Sequence, residues 1–308
     1  MRNSIKLTGR LILRRHLAVV ISVALLTAGL LVLWAGNLQY AYIPPNFSYS
    51  ADIAVTGNDY DSANHRYSDS RSSVGNYYVQ ETSAVEGITA LEGSINVANA
   101  QGGHIGKVTR TYMADSKTGQ YIDASRPHVG YLFAPRNMRE GQSFFYQHIL
   151  YSAVARMEYT GKEVIDGLGA YRYQAIYGQP DVVPIGNITN AKIPAGKTLL
   201  ASPHITIWIE PRTGWLLKYR EDSTVNIVDT MTRTLTSPLY RFTASFTDSS
   251  VHQQTQYAKN LKSRSSASQR IIPITLGMFS LIAGVVLFYS GRTARQAIRA
   301  VRSSRLEK

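Results

Sequence analysis

Tyr240-Arg241-Phe242-Thr243-Ala244-Ser245-Phe246 alternates apolar and polar side chains without a break. An extended chain turns successive side chains to opposite faces, so Tyr240, Phe242, Ala244 and Phe246 share one face. The same period runs through Trp215-Leu216-Leu217-Lys218-Tyr219-Arg220, where it predicts Trp215, Leu217 and Tyr219 on one side. It recurs in Ala170-Tyr171-Arg172-Tyr173-Gln174-Ala175-Ile176-Tyr177, with Tyr171, Tyr173, Ala175 and Tyr177 together. One apolar and one polar face is the signature of antiparallel strands with a single wet side. The fold class expected is mainly β: an antiparallel, curved, half-barrel-like sheet with some α.

The turns between these strands repeat a theme. Asp115-Ser116-Lys117-Thr118-Gly119 separates the strand around Thr109–Met113 from one starting at Gln120, and Glu210-Pro211-Arg212-Thr213-Gly214 separates Ile205–Ile209 from Trp215–Arg220. An acid, two turn residues and Thr-Gly make a tight reversal, in which glycine supplies a positive φ. Lys162–Leu168, ahead of Gly169, reads as a third bend. Ser50 to Ser73 is polar and is expected to be a loop or an irregular edge. Gly178 to Pro203 carries Pro180, Pro184, Pro194 and Pro203, and reads as a long excursion across a sheet edge. Val251 to Lys262 suits a short helix, and Ser263–Ser268 a flexible joint.

Two apolar runs flank this β-rich region. Leu17 to Gly36 and Ile271 to Tyr289 contain no ionisable side chain. Each approaches the roughly 20 residues that a helix needs to cross the hydrocarbon core of a bilayer. The first is longer than a secretory h-region, and Trp34-Ala35-Gly36-Asn37 is a poor cleavage site, so it reads as an uncleaved anchor. The organisation expected is a basic cytoplasmic tail over 1–16, a transmembrane helix over 17–36 and an extracytoplasmic domain over 37–262. A linker over 263–270, a second transmembrane helix over 271–289 and a basic cytoplasmic tail over 290–308 complete it. Arg2, Lys6, Arg10, Arg14 and Arg15 precede the first run, and Asn37 to Ser50 carries no Lys or Arg. The positive-inside rule then puts both termini in the cytoplasm of a plasma-membrane protein.

The net charge of +13 follows from this layout, because each tail contributes +5. Such a charge does not call for nucleic acid; basic residues beside a membrane meet anionic headgroups. Arg292, Arg295, Arg299 and Arg302 recur at helical spacing, which fits either a helix lying on the inner leaflet or a solvated tail. With no cysteine, the central domain has no disulfide frame and stands on its core alone.

No catalytic constellation is legible. The seven histidines show no metal-ligand spacing, and neither a nucleophile elbow nor a phosphate loop is present. Asp59-Tyr60-Asp61, with Asn58 and Asn64, lacks the glycine and distal glutamate of a calcium loop and reads as solvated. No catalytic residue, metal ligand or cofactor is therefore assigned. The candidate ligand-binding residues are the aromatic side chains Tyr171, Tyr173, Tyr177, Trp208 and Trp215 on neighbouring strands. They suit a groove for a lipid chain or a sugar ring, and equally suit core packing and cross-strand pairing.

Gly161-Lys-Glu-Val-Ile-Asp-Gly-Leu-Gly-Ala-Tyr-Arg-Tyr173, followed by Trp208-Ile-Glu-Pro-Arg-Thr-Gly214, resembles a family labelled porin PorA-like. Its members share the plan of basic tail, span, extracytoplasmic domain, span and basic tail. Tyr131-Leu132-Phe133 and Phe145-Tyr146 stand where that family has an aromatic stretch ending in Trp-Asp, which this chain lacks. The same two motifs are similar to strands of LolA-like lipoprotein-carrier half-barrels, in which a curved sheet shelters acyl chains.

The expected function is a membrane-tethered extracytoplasmic binding protein for an envelope lipid or glycolipid, assisting its maturation or transfer. Alternatives are a scaffold subunit of an envelope complex, using a sheet edge or the Gly178–Pro203 excursion as its contact, and an oligomeric pore-forming subunit. An enzyme with a dispersed site ranks last. The partners expected are membrane lipids, an envelope lipid ligand, and a further copy or envelope complex.

Overall fold

The computed structural model describes residues 42–99, 101–122, 130–151, 153–177, 193–266 and 296. Both apolar runs, residues 17–36 and 271–289, lie outside them. Among the described residues no helix is long and apolar enough to cross a membrane. Residues 41–262 form one compact unit; a second unit comprises 1–40 with 263–308, of which only the end of one helix and Gln296 are described.

The compact unit is mainly β. Its strands are β1 (Ser48–Asp61), β2 (Arg66–Tyr67), β3 (Arg71–Val85), β4 (Ile88–Asn99), β5 (His104–Asp115) and β6 (Phe144–Gln147). They continue with β7 (Val154–Ile165), β8 (Leu168–Ile176), β9 (Lys197–Glu210), β10 (Trp215–Asp229) and β11 (Leu235–Phe246), before helix α1 (Asp248–Ser266). All the strands belong to one sheet in the order β5-β4-β3-β1-β11-β10-β9-β8-β7-β6, with β2 paired to the end of β1. Every strand pairing is antiparallel.

The sheet curls until its edges β5 and β6 nearly meet. Isolated bridges join Ala114 to Tyr121, Gln120 to Tyr131 and Tyr131 to Tyr146, so Gln120, Tyr121 and Tyr131 fasten the two edges together at one end. Further along, Arg110 on β5 donates to the carbonyl of Tyr151 at 2.9 Å. Leu132 and Phe133 are fully buried, and the Phe133 ring lies 4.5 Å from that of Tyr49 and 5.3 Å from that of Trp215. These aromatic contacts plug the fastened end.

Helix α1 closes the same end. Its Gln254 accepts from the Trp215 indole at 3.0 Å, and Lys262 reaches the Glu210 carboxylate at 3.2 Å. His252 and Lys259 meet Asp166 in the β7–β8 turn. The chain also enters here. Ile43 donates to the carbonyl of Ser116 at 3.0 Å, and the Tyr42 hydroxyl donates to the carbonyl of Gly214 at 3.1 Å.

The repeated acid-x-x-Thr-Gly turns form as read, although Gln120 and Tyr121, after the first, make isolated bridges rather than a strand. Asp115 accepts from the Lys117 and Thr118 amides and the Thr118 hydroxyl, and Glu210 accepts from the Thr213 amide and hydroxyl. Gly119 and Gly214 have φ of 70° and 72°. A third copy, Asp229-Thr-Met-Thr232-Arg233, makes the same bonds with an arginine in the glycine position, at φ 59°.

Four expectations are corrected. Ser50 to Ser73 is not a loop: it holds most of β1, β2 and the start of β3. Its polar residues occupy the wet face, while Ala51 and Ile53 are buried on the other. Pro203 does not belong to an excursion; it lies in β9, opposite Ser223 of β10. Among the described residues, pairing with β8 covers only Thr206–Ile209, so Pro203 lies beyond that ladder, where a proline's missing N–H is tolerated. Leu216, not Leu217, shares the inner face with Tyr219, because a bulge between Leu216 and Lys218 inserts one residue into the alternation. Ser263–Ser266 continues α1 rather than forming a joint.

Candidate functional site: a cavity with a buried polar nest

Alternation along the central strands builds the interior. On β1 the buried residues are Tyr49, Ala51 and Ile53; on β10 they are Tyr219, Glu221, Ser223 and Val225. Pairing of β1 with β11 sets Ile53 opposite Phe246 and Val55 opposite Ala244, so apolar faces coincide. The concave side encloses a cavity of about 870 Å³. That lies within the range of roughly 300–1,000 Å³ typical of small-molecule sites.

The cavity changes character along its length. Its walls are Ile53, Val55, Ile95, Val97 and Leu216, together with Tyr240, Phe242, Ala244 and Phe246 of β11. Its rim, at the end away from α1, carries Asn58, Asp59, Arg71, Asn99 and Arg241. Arg71 pairs with Asp59 at 3.3 Å, and both are largely exposed, so this pair adds little to stability. The Arg241 guanidinium lies 4.5 Å over the Tyr67 ring and donates to Asn58.

Its floor is polar: His148, Tyr219 and Glu221 all reach it. Glu221 is 1% exposed and accepts from the hydroxyls of Tyr151 and Tyr219. The Tyr151 hydroxyl is also 3.2 Å from that of Ser223. Burial raises the Glu221 carboxyl to about 7, against the hydroxyl bonds that pull it down. Burial also lowers His148 to about 3, assisted by Arg110. At neutral pH this histidine is therefore uncharged, and its 4.0 Å approach to Glu221 is not an ion pair.

Hydrogen bonding fixes the tautomer. Nδ1 of His148 accepts from the Leu150 amide at 3.2 Å, so the ring proton sits on Nε2. Nε2 then donates to the Tyr219 hydroxyl, which frees that hydroxyl's own proton for Glu221. The result is a relay from imidazole through phenol to carboxylate, with its polar atoms satisfied. The His148 ring stacks on Tyr151 at 5.0 Å and lies nearly parallel to the Tyr219 ring at 5.8 Å.

The five aromatic residues singled out in the sequence fall in different places, and none is among the residues lining the cavity. Tyr171 and Tyr173 pair with Ile209 and Ile207 on the inner face, where Tyr173 is fully buried against Phe144 and Tyr159. Trp208 alternates to the outer face. Its indole donates to Glu163 at 2.7 Å, and Lys218 lies 4.6 Å over its ring. Trp215 belongs to the aromatic plug. Tyr177 alone comes near the nest, with its ring 5.5 Å from Tyr151.

Glu221, His148 and Tyr151 escaped the sequence reading. The signal for Glu221 was available: the β10 alternation runs on through Tyr219-Arg-Glu221-Asp-Ser223-Thr-Val225 and sets a carboxylate on the apolar face. His148 and Tyr151 lie beyond the end of β6 in irregular chain, where no period points at them.

Among the described residues no group of three His, Cys, Asp or Glu side chains is arranged to hold a metal ion. Asp61 instead accepts from Ala63 and Asn64, and Asp59 pairs with Arg71.

Residues 144–289 match the porin PorA family. The match begins at the first residue of β6 and covers just under half of the chain. It contains all of the nest, His148, Tyr151, Tyr219, Glu221 and Ser223, but none of β1 to β5, which build the opposite cavity wall. The porin PorA likeness suggests an envelope or membrane location. A putative exported protein with a YmcC-like fold from Bacteroides fragilis also aligns, at 11% identity over 67% of this chain and 97% of that chain, with a TM-score of 0.29. No curated protein matches the chain.

Proposed function

We propose that this protein is a two-span membrane protein whose extracytoplasmic half-barrel binds an envelope lipid or glycolipid and assists its maturation or transfer. The observation that carries this reading is the cavity, with apolar walls, a hydrogen-bonding floor and a polar rim. Apolar burial favours occupancy by an alkyl chain at about 0.8 kcal/mol per methylene. The rim groups Asn58, Asn99 and Arg241 suit a hydroxyl-bearing or anionic head. The apolar runs 17–36 and 271–289 would hold the domain beside its ligand's source and raise the local concentration of that ligand.

Native mass spectrometry of the detergent-extracted full-length protein tests the proposal. A reproducible adduct of lipid mass on the monomer supports it. A lipid-free protein that takes up no lipid analogue saturably would overturn it.

The porin PorA match favours a second reading, an oligomeric pore-forming subunit. Planar-bilayer recordings with insertion verified decide that case, because silence would remove it.

A further inference from the structure

The outer face of the fastened end carries an exposed apolar patch among the described residues. Val85 and Ile88 are directly paired across the β3–β4 hairpin. Met113 of β5 lies opposite Ala90, on the same face as Ile88, and Ile122 donates its amide to the Met113 carbonyl at 2.7 Å. Leu91, one residue out of phase, is fully buried inside, so this row points outward. Val85 is 67% exposed, and Met113 and Ile122 are each 46% exposed. Contiguous exposure of this kind marks an interaction site more often than scattered surface apolar residues do.

We infer that this patch rests on the surface of a bilayer. The inference rests on the two-span reading proposed above. Two observations select a lipid surface as the occupant. The chain enters at this end, where Tyr42 and Ile43 bond Gly214 and Ser116, and it leaves by α1, whose Lys262 meets Glu210 at the same end. The first apolar run stops at Gly36, six residues before Tyr42, a stretch that reaches at most about 20 Å when fully extended. A short tether therefore holds the patch within reach of the interface, where apolar side chains sink roughly 5–10 Å into the headgroup boundary.

The chain has no cysteine, so single-cysteine labelling is unambiguous. The experiment uses full-length protein in phosphatidylcholine–phosphatidylglycerol vesicles, with an environment-sensitive fluorophore at Ile88→Cys, Met113→Cys or Ile122→Cys. Doxyl-labelled lipid is the quencher. Leu26→Cys reports on the first apolar run, and Met231→Cys, 92% exposed in the β10–β11 hairpin, reports on the rim end. The expected result is a blue shift and loss of emission at positions 26, 88, 113 and 122, with position 231 unaffected. Quenching at 26 without quenching at 88, 113 and 122 would overturn the docking inference alone; a second copy or another protein would then be what covers the patch. Absence of quenching at 26 would overturn the two-span reading, and this inference with it.

Discussion

Nε2 of His148 lies 3.0 Å from the hydroxyl of Tyr219, and through it the histidine and Glu221 share one relay while titrating in opposite senses. His148 falls from 6.5 when unfolded to about 3 in the fold, so between those values the unfolded chain holds the extra proton and stability rises with pH. Glu221 rises from 4.5 to about 7, so between those values the native state holds the extra proton and stability falls as pH rises. Each slope approaches about 1.4 kcal/mol per pH unit. Between pH 4.5 and 6.5 they offset one another. Urea midpoints for H148Q should fall as pH rises from 4.5 to 7, whereas those for E221Q should climb from 3 to 6.5. Wild type should be flatter than either over the shared window. Parallel profiles for all three would mean that the pair does not titrate as described.

The three acid-x-x-Thr turns predict opposite effects of similar changes. Arg233 holds a positive φ where the other two copies have glycine. A non-glycine residue in that region costs about 1–3 kcal/mol. Arg233→Gly should therefore stabilise the domain by about 1 kcal/mol. Gly214→Ala should destabilise it by several times as much, because its Cβ would stand 2.3 Å from the Ala134 carbonyl oxygen. Gly119→Ala would meet the Tyr42 ring at 2.2 Å and should behave similarly. Chemical denaturation of the three variants measures the order.

Filling the cavity should separate binding from folding. Val55 and Val97 line it and are only half-buried, so a larger side chain projects into open space rather than into packed core. Val97→Trp and Val55→Trp are expected to reduce uptake of a fluorescent acyl-chain analogue by at least about tenfold, the equivalent of about 1.4 kcal/mol, with the melting temperature little changed. Unchanged uptake in both would place the ligand elsewhere.

Trp208 gives the converse test. Its indole bonds Glu163 on the outer face, beside the Arg172 guanidinium at 2.9 Å from the same carboxylate. Trp208→Phe should cost about 1–2 kcal/mol through that lost bond and leave analogue uptake unaltered. A selective loss of uptake would return Trp208 to the ligand site.

Where one periodic signal governed a whole element, the sequence could be read directly. Tyr240 to Phe246 was readable because one face of β11 serves a single purpose, and all four of its apolar residues line the cavity. The Asp115 and Glu210 turns were readable because their chemistry is local. Ser50 to Ser73 misled because its strands leave the polar face wet and so look like loop. Leu216 and Leu217 exchanged faces because a bulge shifts the register by one, which composition does not record. The nest was hidden for a different reason. His148 and Glu221 lie far apart in the chain and meet only because β6 and β10 are carried round the same curl.

The neighbour order of the sheet has a consequence for biosynthesis. β1, the first strand, lies against β11, the last, with Ile53 opposite Phe246. During translation β1 to β5 can assemble as one panel and β6 to β10 as another. The second panel waits only while β11 itself is made, but the first waits with the edge of β1 bare until β11 appears and seams the two together. At ribosomal rates of about 5–20 residues per second, that interval is on the order of ten seconds or more. Nascent chains stopped short of Leu235 would carry two unseamed edges, the kind of surface that chaperones recognise and that aggregates form on.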